Sequence, residues 1–260
     1  MSQIRQKRLP FAPWVDPRTR RLPGVIPVGL EDWLEVDDAY AGQMALRDAL
    51  IETHPERVIG LEEAARPAAE ELYDLILARL PALGFTLGAT IRRPDGVELA
   101  PDRTRPLHTL GRLLQEDLCL MREGAEGHVL VGAALCFPAG WTLSEKFGRA
   151  MMGIHRPVAK YTEDVGARVQ RLMDGVQPGR PLMRGTAHHS NAPLHNPRTE
   201  AMGRAPEGDL PFIRVERQVL LRLPETRLVC FSIHTYVVDP ADLSPEQAAT
   251  LAEFPIRHAA

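Results

Sequence analysis

Two runs near the end of the chain, Phe212 to Leu223 and Leu228 to Val238, constrain it more than any other feature. Both are rich in β-branched and aromatic residues, and only Pro224-Glu225-Thr226-Arg227 separates them, so the pattern predicts a β-hairpin. Successive side chains of a strand alternate between its faces. One face of the first run carries Ile213, Val215, Arg217, Val219, Leu221 and Leu223, and the other carries Phe212, Arg214, Glu216, Gln218, Leu220 and Arg222. Arg217 is therefore the lone charge on an apolar face. An unpaired guanidinium is costly to bury, so Arg217 has to meet an anion there, and a carboxylate suits its forked donors. The plainest partner is an internal one, Glu116 or Asp117. A loop of even length puts Arg217 opposite His234 and adds Cys230, Ser232 and Tyr236 to the same face.

Upstream, the first 30 residues carry Pro10, Pro13, Pro17, Pro23 and Pro27 among several arginines. Proline fixes φ and lacks a donor, so this segment reads as an extended arm over the body. Tyr40, Met44, Leu46, Leu50 and Ile51 recur at helical spacing after a possible Asp37 or Asp38 cap. A second helix spans Glu62 to Leu80, with Pro67 in its first turn. A short helix is expected over His108 to Leu114, then a hairpin of Glu116 to Met121 and His128 to Phe137 turning at Gly124 and Gly127. Helical patterns follow from Glu145 to Ile154 and from Thr162 to Met173. Residues 178 to 211, with their prolines, glycines and three histidines, read as a long polar loop. A last helix opens at Ser244-Pro245. Helices, hairpin, helices, hairpin is an α+β order with an antiparallel sheet. The chain divides into a proline-rich arm and helical extension over 1–105 and a core over 106–260.

Composition limits the function classes. A net charge of −3 does not argue for nucleic acid or an anionic membrane as partner. No apolar run reaches roughly 18 residues, so no membrane span is expected. Cys119, Cys136 and Cys230 are widely spaced in apolar runs, as buried free thiols of a reduced, cytoplasmic protein would be. Phosphate-binding glycine loops and a G-x-S-x-G elbow are absent from the sequence. His188, His189 and His195 lack the frame of a zinc site. His155 stands where Pro157 ends a helical segment; a histidine there is explained by the helix dipole alone, or ligates a metal.

Several segments, taken in order, resemble the haem-dependent oxidative N-demethylase family. They include Pro27-Val28-Gly29-Leu30, Trp33-Leu34-Glu35, Gln115 to Leu120, Cys136-Phe137-Pro138, Glu145-Lys146 with Gly148, Ile154-His155 with Pro157-Val158 and Tyr161, Val215-Glu216-Arg217-Gln218, and Thr235-Tyr236. The resemblance implies a PAS-like antiparallel sheet with inserted helices that holds haem b. It also implies a separate reductase passing electrons from NADPH through FMN and a 2Fe–2S centre, and a small secondary amine such as dimethylamine as substrate. Carried onto this chain, it makes His155 the axial iron ligand. Arg217 and His234 become binders of a haem propionate. Glu145, and after it Glu116, become the carboxylates expected to hold the cationic amine. The chain departs from the family pattern at Gly185 and Thr186, which replace an asparagine and a tryptophan, and at His234, which replaces an arginine. These departures leave open a haem or small-ligand sensor with the same body, or a scaffold for a reductase without any cofactor.

Overall fold

The computed structural model describes residues 4–20, 24–156, 162–203 and 208–256. Pro23 of the arm, and Pro157, Val158 and Tyr161 of the matched segments, lie outside them. The chain is α+β. Its main sheet has seven strands: β1 (Ile26–Pro27), β2 (Ile59–Leu61), β6 (Asp117–Arg122), β7 (Val129–Ala134), β8 (Leu182–Ser190), β9 (Phe212–Arg222) and β10 (Val229–Val238). Their order is β1-β8-β9-β10-β6-β7-β2, and all pairings are antiparallel. A small sheet of β3 (Thr86–Leu87), β4 (Ile91–Arg92) and β5 (Glu98–Leu99) lies apart.

The helices are α1 (Tyr40–Thr53), α2 (Pro55–Val58), α3 (Arg66–Leu77), α4 (Pro106–Gly111), α5 (Leu143–Lys146), α6 (Met151–His155), α7 (Glu163–Gly175) and α8 (Pro245–Glu253). Their ends follow local chemistry. Pro67 occupies the first turn of α3, where its missing N–H costs nothing. Thr162 caps α7 through Val165 N–H, and Ser244 and Gln247 close a reciprocal capping box on α8. Asp37 accepts from Ala39 N–H at 2.8 Å, one step outside α1. The expected helix from Glu145 to Ile154 is two short pieces instead. Gly148 adopts φ +74°, and the backbone of 148–151 hydrogen-bonds that of 128–130, which diverts it from a helix.

Partners in an antiparallel sheet share a face, so the register assigns every side chain of the central strands. One face carries the rows Met183–Val219–Ser232–Leu118, Gly185–Arg217–His234 and Ala187–Val215–Tyr236. The arm and the helices α1, α3 and α4 cover it, with Trp33, Met44, Leu72, Ile76 and Leu110 fully buried on one side and Leu9 and Trp14 on the other. Each such Leu or Ile contributes about 1.5–3 kcal/mol. The opposite face carries Leu182–Leu220–Phe231–Cys119, Arg184–Gln218–Ile233 and Thr186–Glu216–Thr235. The segment α5–α7 packs on its apolar end through Leu143, Met151, Ile154, Leu172 and Met173. The arm is pinned to the body: Gln6 N–H donates to Val237 O at 3.0 Å, and Trp14 Nε1 donates to Gln247 O at 2.9 Å.

The span read as a long polar loop contains the nine-residue strand β8, paired with β9 from Leu182↔Leu220 to Ser190↔Phe212. Its outward side is half-buried and polar, so it shows no alternation of apolar and polar residues; its order comes from the backbone of β9. Among the described residues no helix is long and apolar enough to cross a membrane. The three cysteines are free and buried.

Candidate functional site

The register places Arg217 directly opposite His234, as the loop count required. Both are buried, and both meet protein carboxylates. Arg217 Nε lies 2.9 Å from Glu35 Oε1, and its two terminal nitrogens donate to the carbonyls of Trp33, at 3.0 Å, and Asp32. The expected partners Glu116 and Asp117 are engaged elsewhere. Glu116 Oε1 lies 3.1 Å from His234 Nδ1, and Asp37 Oδ2 lies 3.1 Å from His234 Nε2. Asp117 faces the other way, where it receives Arg47 at 2.8 Å and the N–H groups of Cys136 and Phe137. Burial alone would lower the His234 pKa, but hydrogen bonds to Asp37 and Glu116 raise it to about 10, so the ring is an imidazolium at neutral pH. Tyr236 donates to Glu35 and completes the cluster. The anion that Arg217 needs is thus Glu35, and this face is closed by Trp33 and the arm. Glu35 thus compensates the Arg217 charge on this face.

His155 is on the other side of the sheet. It ends α6, whose Met151 and Ile154 pack against the same cluster as Leu220, Phe231 and Cys119. Its Nδ1 lies 3.0 Å from Met151 O. Only an N–H bonds a carbonyl, so this contact sets the tautomer with the proton on Nδ1 and the lone pair on Nε2. Burial lowers the His155 pKa; the Met151 hydrogen bond works against this, and the nearby charges of Arg184 and Lys146 add to the lowering. The ring is a neutral imidazole at pH 7.

Beneath this helix the sheet is unusual. Glu216 on β9 and Phe231 on β10 are only half-buried although their strands lie mid-sheet, and so are Arg184, Thr186 and His188 on β8, which β1 borders only at Leu182 and Met183. The polar row is framed by two buried arginines on the same face of β9. Arg214 donates to Phe137 O at 2.6 Å and Leu194 O at 3.1 Å, and Arg222 donates to Met173 O at 2.6 Å and Val176 O at 2.7 Å. These bonds hold the 137 and 194 loops and the end of α7 to the sheet. Between them Glu216 accepts from Gln218 Nε2 at 3.0 Å and stands 3.6 Å from Arg214 Nη2. Among the described residues, the buried Thr235 Oγ1 and Arg214 Nε have no hydrogen-bond partner.

Glu145 sits at the rim. Its carboxylate accepts from Thr142 Oγ1 at 3.0 Å and from Glu200 N–H at 3.0 Å, tying α5 to the 199–202 turn. Glu200 in turn receives Lys146 at 2.8 Å, Arg156 at 3.3 Å and Arg149 at 3.5 Å. Two carboxylates, Glu145 and Glu200, among three cations leave this edge of the His155 site with a net positive charge.

His155, Arg184, Lys146 and the Glu216 row therefore share one side of the sheet, and Arg217 and His234 share the other. Reading from the sequence missed Arg184, Thr235 and Lys146. Arg184 is one of four arginines in the 178–211 segment taken for a loop, and no spacing singles it out. Gly185 is explained as well: a Cβ there would stand 2.3 Å from the Phe11 ring and 3.0 Å from Pro13, so its absence seats the arm on the closed face.

The chain is thus an antiparallel sheet with helices inserted between its hairpins, with the His155 imidazole and a half-buried polar row on one side of that sheet. Residues 24–254 match the family described as haem-dependent oxidative N-demethylase, alpha subunit-like, and the chain belongs to that family.

Proposed function

We propose that this chain is the haem-binding subunit of an oxygenase system that demethylates a small secondary amine. The observation that carries the reading is the His155 imidazole, with its Nδ1 proton engaged by Met151 O and its lone pair on Nε2, above a half-buried polar sheet face. A neutral imidazole with a carbonyl behind it suits an axial iron ligand. Arg184, whose charge is felt at His155, would supply positive charge to a haem propionate, and Lys146, paired with Glu200 at 2.8 Å, stands at the edge of the same site. In this reading Arg184 takes the part first expected of Arg217 and His234. The strand order β7-β6-β10-β9-β8, with α5–α7 inserted between β7 and β8, supports a PAS-like core.

Bound there, haem b would supply the oxygen-activating chemistry. The chain's residues bind and orient. His155 would hold the iron and Arg184 would neutralise a propionate, while Glu145 acts at one remove by fixing Glu200, which positions Lys146. With dimethylamine the balance is one amine, one O₂, two electrons and two protons, giving methylamine, formaldehyde and water. The electrons come from NADPH by way of a separate reductase carrying FMN and a 2Fe–2S centre. Three buried free thiols support a reduced, cytoplasmic setting.

The sensor is the second reading. Two of the three departures from the family pattern, Gly185 and His234, lie on the sheet face away from His155, which favours the enzyme; Thr186 alone lies on the His155 side. The test is formaldehyde release from dimethylamine by haem-loaded protein with a reductase and NADPH. Formaldehyde formed in step with NADPH consumption supports the enzyme. A reducible haem protein that releases none from a panel of small secondary amines is a sensor.

A further inference from the structure

We propose that Glu216 and Thr235 form the subsite for the substrate's ammonium group, and that they select cations with two N–H donors over those with one. The inference rests on the haem reading above. The two residues are direct partners across β9 and β10, on the same sheet face as the Leu220–Phe231–Cys119 row against which α6 packs. Directly opposed side chains have Cβ atoms roughly 4.5–5.5 Å apart, a span that one small ammonium can bridge.

The state of each group points the same way. Glu216 is half-buried; it accepts from Gln218 Nε2 at 3.0 Å and forms a loose ion pair with Arg214 Nη2 at 3.6 Å. A carboxylate offers about four lone-pair positions, so acceptor capacity remains. Arg214 spends its shorter bonds on the carbonyls of Phe137 and Leu194. The Thr235 hydroxyl is buried without a hydrogen-bond partner, a state that is costly and that a ligand donor would relieve. Other carboxylates near this side are committed: Glu145 to the 199–202 turn and Glu200 to Lys146, Arg149 and Arg156. Glu116 lies in the closed cluster with His234.

A protonated secondary amine carries two N–H donors, one for the Glu216 carboxylate and one for Thr235 Oγ1. A tertiary ammonium has a single N–H and satisfies only one of them. Leaving the second acceptor bare is what discriminates.

The experiment is calorimetric titration of haem-loaded protein with dimethylammonium and trimethylammonium chloride, alongside the absorption spectrum of each sample. Glu216→Gln should weaken dimethylammonium binding about 10- to 100-fold with the Soret band unchanged. Thr235→Val, close to isosteric, should weaken it about three- to tenfold, leave trimethylammonium unaffected and so remove most of the preference. Dimethylammonium binding in Glu216→Gln equal to wild type, with an intact Soret band, overturns the subsite while leaving the haem reading in place. So does a Thr235→Val protein that keeps the full preference. A wild-type protein without a Soret band overturns the haem reading itself, and this inference with it.

Discussion

His155 and Arg217 stand on opposite faces of one sheet: His155 on the side of Leu220 and Phe231, Arg217 on the side of Trp33 and Glu35. The two residues that first suggest a single cofactor site therefore serve different ends. One face locks the arm to the core through buried charge, and the other is left polar beneath a short helix.

Arg217 should matter for stability and little for haem. Arg217→Ala leaves Glu35 and two carbonyls without their donor. Because Glu35 is 26% exposed, the loss should fall at the low end of that for broken buried pairs, about 3 kcal/mol by denaturant titration. The Soret band of the folded fraction should match wild type. Loss of haem from a protein of normal stability would place Arg217 at the cofactor.

Gly185 should tolerate no side chain. Gly185→Ala drives a methyl into Phe11 and Pro13 and should cost about 1–3 kcal/mol, with the arm becoming more open to limited proteolysis. Unchanged stability would mean that the arm does not seat on this face.

Stability should fall on the alkaline side. His234 has a folded pKa near 10, above its unfolded value of 6.5, so its contribution is complete below pH 6.5 and is lost as pH rises through 10. Asp37 has a lowered pKa, so its contribution is present above the ordinary aspartate pKa and is lost as pH falls through its folded value. The groups around the ring are Asp37, Glu116 and Tyr236, with Glu35 and Arg217 behind them. Melting temperature should decline between pH 6.5 and 10, and His234→Gln should flatten that limb. An equally steep decline in the variant would assign it to other groups.

Glu145 should prove to be a tether. Glu145→Gln keeps an acceptor for Glu200 N–H, and turnover of dimethylamine should stay within about twofold of wild type, since a neutral hydrogen bond of about 1 kcal/mol is largely preserved. A loss of a hundredfold or more with normal folding would return a chemical role to this carboxylate.

Much of the frame was legible because it is local. The β9–β10 hairpin announces itself by alternation, and its four-residue turn sets the register that pairs Arg217 with His234. The partners of that pair were not legible. Glu35 and Asp37 lie about 180–200 residues away in sequence, in a segment whose contact with the sheet depends on Trp33 and the arm, and no spacing rule connects them. β8 was hidden for a related reason: Arg184, Thr186 and His188 line a half-buried face, so the strand lacks an apolar side to betray it. In α1 the buried cation Arg47, held by Asp117 and three carbonyls, takes the inner position that Leu46 and Leu50 were expected to fill.

The central claim is that His155 holds haem on the open face of the sheet, and its most direct measurement is the absorption spectrum of wild-type and His155→Ala proteins purified with haem supplied. The account predicts a Soret band in the wild type that is lost or shifted in the variant and restored toward the original position by added imidazole. A variant spectrum identical to wild type, or no Soret band in either protein, would contradict it.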